Sequence, residues 1–207
     1  MHDTSPQSVK KAAPMRLGAI AGLAAVLLFT LALSGCGAGG GSSSSPALSV
    51  PKIKLKSAAF HGTSIPALYT CDGKNVPPPL EWGPVPPGVG SLVLFVIAIL
   101  PKSGSDKYTF NIAWAVAGID PKLHKLESGR LPRGAVVGVA SDGKRNYSIC
   151  PKKGTVVQYQ FELYGLPLGA AVSRTFAALP IFASLETSNH SSPTDAYGAL
   201  VARYNRS

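Results

Sequence analysis

Acidic residues are scarce in this 207-residue sequence: ten Asp and Glu stand against twenty Lys and Arg, and charged residues make up only 14% of the chain. So few carboxylates supply no acid-base pair at a working spacing. The four histidines and three cysteines complete neither a Ser-His-Asp set nor a metal-ligand pattern. Catalysis, a bound metal and a cofactor are therefore not expected. The +10 balance raises the question of an acidic partner, nucleic acid or an anionic membrane surface. The basic residues are scattered, however, with no aromatic-interleaved stripe to follow a phosphate backbone, so no nucleic-acid partner is expected. Internal repeats are absent and helix signals are weak. What is plentiful is glycine (22) and proline (18), beside 45% hydrophobic content, which favours a loop-rich β protein with a proper core.

The first segment reads as an address. Lys10, Lys11 and Arg16 precede an uncharged run, "LGAIAGLAAVLLFTLALSG" from Leu17 to Gly35, in the pattern of a secretory signal. Nineteen such residues are also long enough to span a bilayer, so a retained anchor is the alternative. "LSGC", Leu33 to Cys36, resembles the bacterial lipobox, in which small residues precede a cysteine lipidated on sulfur. "GAGGGSSSSP" then forms a flexible tether. The expected organisation is a lipoprotein signal peptide over 1–35, lipidated Cys36 with its tether over 36–50, and one domain over 51–207. Its partner is the membrane, reached through the N-terminal lipid, and its place is outside the cytoplasm of a bacterium. In such a compartment Cys71 and Cys150 are expected to form a disulfide, the alternative being two separate buried thiols.

Within the domain, "KIKLKSAAF" (Lys52 to Phe60) begins with strict alternation, the mark of a strand with one wet face. "SLVLFVIAIL" (Ser91 to Leu100) is apolar throughout and predicts a strand buried on both faces. "YTFNIAWAVAGI" (Tyr108 to Ile119) and "TVVQYQFELYGL" (Thr155 to Leu166) predict two more, the latter with Tyr159, Phe161 and Leu163 inward against Gln158, Gln160 and Glu162. "ALVARY" (Ala199 to Tyr204) predicts a last one. A helix is expected over Ala170 to Leu179, closed by Pro180, with a turn or two around Pro121 to Lys125.

The stretch "FHGTSIPALYTCDGKNVPPPLEWGPVPPGVGSLVLFV", Phe60 to Val96, resembles the phosphatidylethanolamine-binding protein family, also called Raf kinase inhibitor-like, in its bacterial branch. The family pattern I-P-x-x-Y-T-C-D-G-x-N-x-S-P-P-L-x-W departs clearly here only at Pro77, where a serine is usual. Trp114, "LESG" at Leu126 to Gly129, Tyr147 with "CP" at Cys150, "YQFELYGL" from Tyr159 and the terminal "GALVARYNR" follow in order. The resemblance implies a mainly β fold of two antiparallel sheets with a few short helices. It also implies a small pocket for phosphate-like groups, built in the family from two aspartates and two histidines.

Laid residue by residue on this chain, the aspartate positions fall on Ala98 and Leu100, and the histidine positions on Ala113 and Val157. A buried phosphate dianion needs charge-assisted donors in place of water, and alanine and valine offer none. Phosphate headgroup binding is therefore expected to be weak or absent. One expectation is a pocket turned apolar and aromatic, with Trp82, Trp114, Pro151 and Tyr159 beside the four replaced positions, taking an uncharged or hydrophobic small molecule. Lys102, Lys152 and Lys153 could attract an anion at its rim, or be ordinary solvated lysines. The other expectation is a pocket filled by its own side chains on a protein-interaction or inhibitor module. His61, His124 and His190 are expected in loops. Cys150 lies beside lysines that would lower a thiol pKa, an effect that pairing with Cys71 removes.

Overall fold

The computed structural model describes residues 53–102, 104–105, 107–187 and 196–207. The leader, Cys36, its tether and His190 lie outside the described residues. In chain order the strands are β1 (Leu55–Lys56), β2 (Leu80–Trp82), β3 (Val89–Pro101), β4 (Tyr108–Ile119), β5 (Lys125–Leu126), β6 (Val136–Val137), β7 (Thr155–Pro167) and β8 (Tyr197–Arg206), with helix α1 (Ala178–Thr187) before β8. They form two antiparallel sheets, a small one in the order β1-β2-β5 and a large one in the order β6-β4-β3-β7-β8.

The unbroken apolar run of β3 explains its place at the centre of the large sheet. Leu92, Leu94 and Val96 face the small sheet, joining Leu55, Leu80, Trp82 and Leu126 in one core. Val93, Phe95 and Ile97 face the other way, under α1, where the rings of Phe95 and Phe182 sit 5.3 Å apart. Each such side chain, fully buried, stabilises the domain by roughly 1.5–3 kcal/mol before the entropy of ordering is subtracted. A strand with one polar face could not occupy that position.

The alternation of Ile53, Lys54, Leu55 and Lys56 holds, buried and exposed in turn, but the expected strand over Lys52 to Phe60 shortens to β1. The helix differs more. Ala170 to Leu179 is largely turn and loop, and α1 begins at Ala178 with Pro180 in its first turn. Proline is tolerated there because a first-turn N–H has no intrahelical acceptor, so the residue read as a stop belongs to a start. The expected turn covers Pro121 and Lys122, and after two further residues Lys125 already belongs to β5. On β7, Gln158 and Gln160 are half-buried as an outer face should be, but Glu162 is buried. Its carboxylate and that of Glu186 in α1 each lie 2.6 Å from the Tyr164 hydroxyl, so the helix covers what alternation alone would leave wet. Burial, then the neighbouring carboxylates, hold the Tyr164 phenol far above its ordinary pKa.

Candidate functional site

The loop that leads into β2 is tied at several points to the segment 147–150. Cys71 and Cys150 form a disulfide, with Cα atoms 5.2 Å apart. Cys71 N donates to Ile149 O (3.1 Å), Ile149 N donates to Asn75 Oδ1 (3.3 Å), and the buried Tyr147 hydroxyl donates to Tyr69 O (2.9 Å). Asn75 reaches its acceptor position from a left-handed backbone, φ 52°, which asparagine tolerates better than most residues. Gly73 is required by space: a Cβ there would lie 2.7 Å from Leu68 Cα. The end of β8 closes the arrangement. Arg206 donates to Asp72 Oδ1 through Nε and Nη2 (3.0 Å each) and to Pro151 O through Nη1 (2.9 Å), while Tyr204 donates to Asp72 Oδ2 (2.7 Å). The Tyr204 hydrogen bond is the largest influence on the Asp72 carboxyl; it outweighs desolvation and, with the smaller help of Arg206, holds the group below its ordinary pKa.

This braced rim borders a cleft of about 390 Å³ at the end of the large sheet. Ala98 and Leu100, near the end of β3, form its floor with Ala113 of β4 and Tyr159 of β7. Val96 pairs with Trp114 and Ile97 with Ile112, so Ala113 is an extra residue in β4, a bulge. Bulges re-aim side chains, and this one turns both Ala113 and Trp114 toward the same core. Cys150, Pro151 and Lys152 supply one wall, so the disulfide is itself part of the cleft. Burial, then the neighbouring Tyr204, push the Tyr159 hydroxyl well above its usual pKa, so it stays a neutral hydrogen-bonding group. As a disulfide sulfur, Cys150 is not available as a thiolate nucleophile.

Five of the eight residues expected in the pocket thus meet: Ala98, Leu100, Ala113, Pro151 and Tyr159. Trp82, Trp114 and Val157 do not line it. Trp82 is buried between the sheets, where its Nε1 finds no hydrogen-bond partner among the described residues, and Val157 is packed into the same core. Trp114 packs edge-on against Tyr147, with ring centroids 5.4 Å apart, and borders a different cleft. The cleft is consequently less aromatic than expected. Of the three lysines named for its rim, only Lys152 lines it. His61 and His124 are exposed.

Sequence reasoning missed Asn111, Ser141, Asp142 and Ser148, which give the opposite wall polar character. Ser141 is fixed by a reciprocal pair of bonds: Ile112 N donates to its Oγ (2.8 Å) and its own N donates to Ile112 O (2.9 Å). Asp142 accepts from Lys144 N (3.0 Å) in a local turn. The Asp-Gly pair at 142–143 signalled that turn, but nothing local showed that it would fold against Ala113.

The class is thus a mainly β fold of two antiparallel sheets, with a small cleft at one end of the larger. A family model described as phosphatidylethanolamine-binding protein matches residues 55–202, and the chain belongs to that family. A UPF0098 protein of Methanothermobacter thermautotrophicus is 40% identical over 121 residues, covering 55% of this chain and 76% of its own. A Mycobacterium tuberculosis protein named "Putative lipoprotein LppC" is 34% identical over 168 residues, covering 72% and 79%. Among solved structures, the phosphatidylethanolamine-binding protein homologue CT736 of Chlamydia trachomatis superposes with a TM-score of 0.61 at 26% identity, over 75% of this chain and 99% of that one. Escherichia coli YbcL does so with the same TM-score and coverage at 21% identity, a likeness of fold alone.

Proposed function

We propose that this chain is a lipid-tethered, extracytoplasmic binding protein that holds an uncharged small molecule in the cleft around Ala98, Ala113 and Tyr159, and that it acts by binding rather than by turnover. The observation that carries the reading is the cleft floor. Where the family pattern has two aspartates and a histidine, this floor presents two alanines and a leucine, with a neutral phenol beside them. Asp142 on the opposite wall repels a phosphate dianion, and Lys152 offsets that field only in part. A neutral ligand with an apolar body and one or two hydrogen-bonding groups fits both the floor and the serine and asparagine wall. Lipid attachment at Cys36 is supported by "LSGC" and by the name of the mycobacterial relative.

The test is native mass spectrometry of the full chain released from its own envelope. The reading expects a neutral small molecule that leaves on denaturation, and a diacylglyceryl mass on the Cys36 peptide. A phosphorylated molecule retained in stoichiometric amount would overturn it. Ala113→Trp, which fills the cleft, should abolish retention of the neutral ligand. The alternative, an interaction or inhibitor module, draws support from the burial of Trp114 and Val157. It predicts that Ala113→Trp changes nothing but protein partners.

A further inference from the structure

Asn146 and Tyr147, just before the residues that wall the proposed ligand cleft, border a second cleft of about 420 Å³. Lys74 and Asn75 of the disulfide loop and Arg145 supply its polar groups, while Leu131 and the small uncovered edge of Trp114, 2% exposed, supply apolar surface. Among the described residues no carboxylate lines it. Three other clefts with basic residues each contain acids, Glu81 beside Lys54 and Lys56, Asp142 beside Lys152, and Asp120 with Glu127 beside Arg130 and Arg133, and a fourth has Lys54 alone. The positive charge here is therefore not balanced inside its own cleft.

The groups are also held in place. Arg145 Nη1 donates to Arg174 O (3.0 Å) and Val137 O (3.4 Å), which positions the guanidinium without using its Nε or Nη2. Asn75 accepts from Ile149 N through Oδ1, which leaves its NH₂ as a donor. Trp114 is fixed edge-on against Tyr147, whose hydroxyl is already committed to Tyr69 O. A guanidinium with Nε and Nη2 left over can take both oxygens of one carboxylate, and the ammonium, the amide and the apolar surface beside it suit an anion carried on an apolar body. We propose that this cleft binds a monoanionic carboxylate carried on an aromatic or aliphatic body. It is separate from the cleft at Ala113, so either reading can fail without the other.

Benzoate is the probe, titrated into the full chain in neutral detergent and followed by the two tryptophan indole N–H signals, assigned with Trp114→Phe. The expected result is a saturable shift of the Trp114 signal with the Trp82 signal unmoved, and no such shift with neutral benzamide. Lys74→Glu should weaken benzoate binding by about tenfold or more, as expected for loss and reversal of a charge-assisted contact. Arg145→Gln should act in the same direction, with retained amide dispersion confirming the fold. Equal binding of benzamide, or unchanged affinity in Lys74→Glu, would each overturn the proposal.

Discussion

The rim and the floor of the proposed ligand cleft differ in how they are held and in what they present. The rim, Tyr69 to Trp82 with Cys150 and Pro151, keeps the family pattern and is held by a disulfide, a carboxylate-guanidinium contact and several backbone bonds. The floor positions Ala98, Leu100 and Ala113 carry no ionisable side chain. None of the bonds that brace the rim passes through a floor side chain. A cleft can therefore keep its outline while its chemistry changes, and the outline identifies the family more surely than the ligand.

Breaking the rim should have the largest effect. Cys71 and Cys150 are 79 residues apart, and releasing a loop of that size is expected to cost about 4 kcal/mol, so Cys71→Ser with Cys150→Ser should shift the denaturant midpoint far down. Gly73→Ala comes next, at roughly 1–3 kcal/mol, because its methyl group must displace backbone at Leu68. The acid limb offers a finer probe. Asp72 is held below its unfolded pKa of about 3.8, so its contribution is present above that value and is lost as pH falls through the lower folded pKa. Asp72→Asn should remove that component from the stability-pH curve below about pH 4. The floor should respond least: Ala113→Ser, at a half-buried position, should change stability by less than about 0.5 kcal/mol while altering affinity for the retained ligand. A floor substitution as costly as loss of the disulfide would erase the distinction.

The long strands were legible because their apolar runs and alternations span ten or more residues, and β4 matches its expected limits at both ends. The two-residue strands β5 and β6 carry no periodicity of their own and exist by pairing with β2 and β4. Pro180 misled because a proline before a helix interior and a proline after a helix look alike in sequence. At the site, residue-by-residue matching grouped Ala98, Leu100, Ala113 and Tyr159, which line one opening. It failed for Trp82 and Trp114, since an aromatic ring near a cleft in sequence can be spent on the core. It was silent on Asn111, Ser141, Asp142 and Ser148, which reach the cleft only through loop geometry.

The central claim is that the floor no longer supports phosphate. Isothermal titration of phosphoethanolamine into the purified full chain tests it most directly, with Ala113→Trp alongside to show where any binding occurs. The account predicts no saturable heat up to about 1 mM, a free energy weaker than about −4 kcal/mol. Micromolar binding that Ala113→Trp abolishes would contradict it.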